Sequence, residues 1–141
     1  VELPEDSFKT LLKTFHSVFP HVSLWMAITH YNKHALIVGS LKPLRIDLDL
    51  FLKRFNQFAK EDLKIVNLDN PVFFLDSFKM NETGFAEWVD SAPLHTINHP
   101  VLEFSPRKVQ PNIDRVRSYE LLANSSMSLT PFITSLGTYK N

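Results

Sequence analysis

Two apolar runs, HVSLWMAIT at residues 21–29 and ALIVGS at residues 35–40, flank the polar stretch Tyr31-Asn32-Lys33-His34. Both have strand length, and so short a connection joins antiparallel neighbours, so the pair reads as a β-hairpin. The first run carries hydrophobic residues at consecutive positions, which asks for cover on both of its faces. A hairpin of two strands is marginal in water. It must join further strands or be covered by helices. The helices here follow it in one block, so the chain reads as the trailing half of an α/β sheet whose earlier strands lie upstream of Val1. The other solution is that the helices present cover the hairpin by themselves.

Helical spacing dominates elsewhere. PEDSFKTLLKTFHSVF opens with proline and acids and then places Phe8, Leu11, Leu12, Phe15, Val18 and Phe19 on one face, an amphipathic helix that Pro20 ends. After Pro43, IDLDLFLKRFNQFA repeats the pattern through Leu48, Phe51, Leu52, Phe55 and Phe58, with Asp47 or Asp49 as N-terminal cap or dipole partner. Three short helices are expected next: KEDLKIV, then PVFFLDSFKM opened by Asn70 and Pro71, then ETGFAEWVDS with a weakening Gly84. Beyond Ser105, prolines 106, 111 and 131 punctuate a polar stretch that holds one further helix in IDRVRSYELLAN and ends in a Ser/Thr-rich, loosely held segment.

Composition removes several function classes. With 15 basic and 15 acidic residues the 141-residue chain has no net charge, which gives no global electrostatic case for nucleic acid or an anionic membrane. It has no cysteine, hence no disulfide, thiolate nucleophile or cysteine-held metal, which fits the cytoplasm. No apolar run approaches the roughly 20 residues that cross a bilayer. The three glycines, Gly39, Gly84 and Gly137, are too scattered for a glycine-rich phosphate cradle. The twelve phenylalanines recur at helical spacing, as core residues do.

Taken in order, F-x-x-x-FPHVSLW, a short turn, LIVGS, several helices and PLHTINHPVLEFSPR resemble the C-terminal half of spermidine synthase-like proteins. These are aminopropyltransferase relatives with a methyltransferase-type Rossmann fold. The likeness spans about residues 8 to 107. It implies an α/β fold: the C-terminal portion of that Rossmann sheet, an antiparallel hairpin with one helix before it and several after. Residues 1–107 would form this part, and 108–141 a C-terminal extension. Pro93, Leu94, Thr96, Pro100, Leu102, Glu103, Phe104, Pro106 and Arg107 fall on a family pattern of the type P-L-N-T-D-D-x-P-x-L-E-F-x-x-P-R. Ile97 and Asn98 stand where two aspartates are usual, which removes two charges. The physical reading of this stretch is a pinned connection, with Pro93 and Pro100 limiting the backbone and Thr96 bonding neighbouring amides.

The family's glycine-rich S-adenosyl cofactor motif, its acidic ribose-binding residue and its catalytic acid all precede the hairpin, and none is present here. The resemblance therefore implies no catalytic residue and no cofactor in this chain, with S-adenosylmethionine or its decarboxylated form bound by the parent protein. The missing N-terminal half of the fold, or a dimer mate, is the implied partner. Spermidine synthases carry a longer Tyr-Pro-Ser-Gly-type segment between the two strands, where this chain has only THYNKH. Trp25, His30 and Tyr31 are the candidates for lining an acceptor pocket. A different class is an interaction module that pairs through an exposed strand edge or an apolar helix face.

Other chemistry finds less support. His30 and His34, like His95 and His99, have the spacing of helical metal ligands but sit in expected turns with no third ligand. His16 and His21 flank a helix end, where an imidazole favours the dipole. Asp47 with Asp49 and Glu61 with Asp62 read as solvated helix starts, and Ser40 lacks the flanking glycines of a nucleophile elbow.

Overall fold

The computed structural model describes residues 4–26, 35–103, 120, 122 and 124–135. It is a mixed α/β arrangement of a three-stranded antiparallel sheet and several helices. Helix α1 (Glu5–Val18) buries Phe8 and Leu12, carries Glu5 and Asp6 in its first turn and ends where Phe19 turns extended before Pro20. Strands β1 (His21–Trp25) and β2 (Leu36–Ser40) form the expected hairpin, with His21 opposite Ser40 and Trp25 opposite Leu36. The tetrapeptide expected to turn between them lies outside the described residues.

The sheet gains a third strand that helical spacing hid. PVFFLDSFKM is not one helix: α4 (Pro71–Asp76) is capped by the Asn70 side chain and stops, and β4 (Phe78–Asn81) runs antiparallel beside β1. The physical reason is tertiary. Residues two apart in a regular strand share a face, but the register shift opposite Leu24 and Trp25 lets Met80 join the core with Phe8 and Phe85 while Phe78 packs on Trp25, and both gain a ladder partner in β1 that a helix would not offer. The Met26 amide donates to the Ser77 carbonyl at 2.6 Å and prolongs the ladder past a bulge at Trp25.

Because the sheet order is β2-β1-β4, β1 is central, and its consecutive apolar residues are buried on both sides. On one face Val22, Leu24 and Met80 pack with Phe8 and Leu12 of α1 and with Phe85 and Val89 of α5 (Glu82–Val89). On the other face Trp25 meets Phe78 and Phe74, ring centroids 5.2 and 5.9 Å apart, and Phe74 is in turn flanked by Phe51 and Phe55. Helices thus cover both faces. Phe8, Phe55, Phe78 and Phe85 are buried, as core spacing implied, and Phe15 and Phe19 pack against the core, whereas Phe58 and Phe73 are exposed.

The second amphipathic segment begins one residue pair later than expected. Ile46 and Asp47 form a short strand, β3 (Ile46–Asp47), parallel to β5 (Ile133–Ser135). Asp47 then caps α2 (Leu48–Arg54) by accepting the Leu50 amide at 2.9 Å. KEDLKIV is not a separate helix. A wide π-turn at Phe55–Ala59 carries α2 directly into α3 (Lys60–Leu63) and a final tight turn to Val66, where left-handed Asn67 stops it. Leu122, within the expected late helix, is fully buried in the main core.

Candidate functional site

The two edges of the sheet are finished differently. On the outside of β4, the Met127 amide donates to the Lys79 carbonyl at 2.7 Å. On the outside of β2, no strand pairs among the described residues, and Leu36 and Val38 are 54% and 41% exposed. Their strand, LIVGS, contains neither the charge nor the proline with which free edges are usually protected.

Beside this open edge lies a cavity of about 220 Å³. It forms because Ser40 ends β2 and its hydroxyl accepts the Lys42 amide at 3.0 Å, turning the chain into a Leu41–Arg45 loop. His21, Ser23, Val38, Ser40, Lys42 and Arg45 contribute to its wall. Residues 21, 23, 38 and 40 share one sheet face through the strand register. Ser23 is almost wholly buried, and its oxygen accepts the Trp25 indole N–H at 2.8 Å.

His21 is held from behind. Asn81 caps α5 by accepting the Thr83 amide, which sets Glu82 at the first helical position, where the helix dipole favours a carboxylate. Glu82 Oε1 lies 3.0 Å from His21 Nδ1. A carboxylate only accepts, so Nδ1 donates, and Nε2 is the ring's remaining polar atom. Glu82 Oε2 is buried with no hydrogen-bond partner among the described residues. A second, wider cavity of about 510 Å³ is lined by Phe51, Phe55, Phe58 and Phe74, with Arg45 and Arg54 at its edge.

The residues singled out from sequence are spread apart. Trp25 is 8% exposed, wedged between Phe74 and Phe78. His30 and Tyr31 lie outside the described residues. The motif from Pro93 is a tight turn on α1: Thr96 and His99 exchange backbone hydrogen bonds of 3.1 and 3.0 Å, and the Thr96 hydroxyl also accepts the His99 amide. Ile97 and Asn98 form its exposed tip. The His95 amide donates to the Thr14 hydroxyl at 2.9 Å, and His95 Nδ1 accepts the Leu102 amide at 3.2 Å, which pins both ends. Pro93 and Leu94 are exposed before this turn, Pro100 and Leu102 are half-buried after it, and Glu103 faces solvent. Phe104, Pro106 and Arg107 lie outside the described residues.

His95 therefore serves the backbone, and no group of three metal-capable side chains occurs among the described residues. No helix among them is long and apolar enough to cross a membrane. The sequence reading missed the grouping of His21, Ser40, Lys42 and Arg45. Its only linear trace is the basic loop LKPLR directly after a strand. No protein-family profile, curated protein or solved structure matches this chain.

Proposed function

We propose that this chain is the C-terminal portion of a spermidine synthase-like, S-adenosyl-cofactor-dependent transferase of the cytoplasm. It supplies the last strands of a methyltransferase-type Rossmann sheet and part of the acceptor pocket, and it is inactive alone. The observation that carries this reading is the unequal finish of the two sheet edges: β4 is capped by Met127, whereas β2 offers an unguarded ladder among the described residues. Helices on both faces are what a doubly wound sheet requires. The pinned PLHTINHP turn adds the family-like sequence pattern. The strand that completes the sheet at β2 comes from the N-terminal half of the same fold or from a dimer mate, and that half holds S-adenosylmethionine or its decarboxylated form.

Titration of decarboxylated S-adenosylmethionine into this chain alone, followed calorimetrically, is expected to give no saturable heat. Saturable binding would refute the division of labour. The coding sequence upstream of Val1 is expected to encode a strand, a glycine-rich turn and a helix, and a different pattern there would refute the family reading. A second reading is an interaction module that docks through a helix face, favoured by Val72 and Phe73 of α4, which are 66% and 62% exposed. Amide exchange separates them: a partner that adds a strand protects β2, and one that covers α4 does not.

A further inference from the structure

We propose that the cavity between β1, β2 and the Leu41–Arg45 loop is a binding site for a phosphoryl group, as inorganic phosphate or as a phosphate monoester. The inference is independent of the transferase reading, since it uses the face of the sheet and not its edge.

The cavity wall has an excess of donors. The Ser23 and Ser40 oxygens each accept one protein N–H, from the Trp25 indole and the Lys42 amide, and among the described residues neither hydroxyl proton has an acceptor. Lys42 and Arg45 are exposed, and neither has an ion-pair partner among the described residues. No carboxylate contributes to the described wall. Glu82, which is bonded to His21 Nδ1, is not among the residues of that wall. Lys42 and Arg45 thus bring positive charge to a wall that has no carboxylate among its described residues.

Hydroxyl protons, an ammonium and a guanidinium around one space call for a ligand that is all acceptor and negatively charged. A tetrahedral phosphoryl group presents three or more acceptor oxygens in different directions, which suits donors arriving from two strands and a loop. The volume agrees. About 220 Å³ is several times the ~30 Å³ share of one water and falls below the ~300–1,000 Å³ of sites for drug-sized molecules. Ser23 supplies the buried, orientated donor, and the exposed cations supply attraction. This is not the glycine-rich cradle that the composition excludes, because its donors are side chains.

The test is a titration of the whole chain with sodium phosphate, followed by ¹⁵N–¹H NMR against sodium chloride at matched ionic strength. The Trp25 indole N–H is the internal reporter, because it is bonded to the Ser23 oxygen. We expect a saturable phosphate-specific shift of that resonance and of the Lys42 amide. Arg45→Gln should weaken binding at least tenfold and Lys42→Gln several-fold; both residues are exposed, so an unchanged spectrum certifies the fold. A parallel titration with glycerol 3-phosphate separates the sources: tighter binding than inorganic phosphate assigns a monoester, and weaker binding assigns the free ion. The proposal is overturned if chloride reproduces the shifts, if no saturable shift appears, or if both glutamine variants bind phosphate as the parent does.

Discussion

Gly39→Ala is the most informative single change, because two effects of known sign compete at that position. A Cβ built on Gly39 would sit 2.5 Å from Cδ2 and Cγ of Phe19 and 2.9 Å from Cε1 of Phe15. Carbon atoms prefer about 3.5–4.0 Å, so the Phe19 ring must retreat by about 1 Å. It has little freedom to do so, being stacked on Phe15 at 4.8 Å and followed by Pro20. Overpacking of this kind costs about 1–3 kcal/mol. Against it stands the smaller entropy of an unfolded chain with alanine, which favours folding by about 0.4–1 kcal/mol where the backbone is compatible. Gly39 does not have a positive φ, so alanine is conformationally allowed. The net expectation is a loss of about 1–2 kcal/mol, read from urea unfolding with an unchanged m-value. The decisive experiment is a double-mutant cycle. Once Phe19→Ala has removed the ring, the two 2.5 Å contacts disappear and the Phe15 ring gains room to shift from its 2.9 Å contact, so Gly39→Ala should cost much less in that background. Destabilisation of equal size in both backgrounds would refute the claim that close approach of α1 to the edge strand is what demands glycine.

Leu12→Ala, at a fully buried site between α1 and the sheet, should cost about 2–5 kcal/mol in the same unfolding assay. Thr14→Val removes the hydroxyl that accepts the His95 amide and should cost about 1 kcal/mol, with faster amide exchange confined to residues 93–102. Glu82→Gln keeps an acceptor beside His21 but removes the charge, and a loss of about 1 kcal/mol is expected for this partly exposed pair. Outward-pointing amides of β2 should exchange much faster than those of β1 in the isolated chain, and uniform protection across both strands would contradict an open edge.

Much of this architecture could be read from the linear pattern. The proline and acidic start of α1, the stop at Pro20, the hairpin and its register-setting apolar runs, and the caps at Asp47 and Asn70 all depend on residues within a few positions of one another. Local backbone chemistry decides such features, so the sequence carries them openly. The Pro93 turn belongs with them, since its prolines and Thr96 act within one tight loop.

Other features were settled by partners distant in the chain. SFKMN has apolar spacing compatible with a helix, and it becomes β4 because β1 offers a free ladder more than fifty residues earlier, a hydrogen-bonding opportunity that local propensity does not contain. The helix from Leu48 continues through Lys60 because a π-turn buries Phe55 against Phe74, so aromatic packing overrides the expected break. The basic cavity is the extreme case. His21, Ser23, Ser40, Lys42 and Arg45 come from two strands and a loop, and only antiparallel register places them on one face. Sequence alone determined which segments had to be covered, because apolar periodicity is local; tertiary structure decided what covers them and which donors were left facing an empty space, because those outcomes depend on long-range pairing.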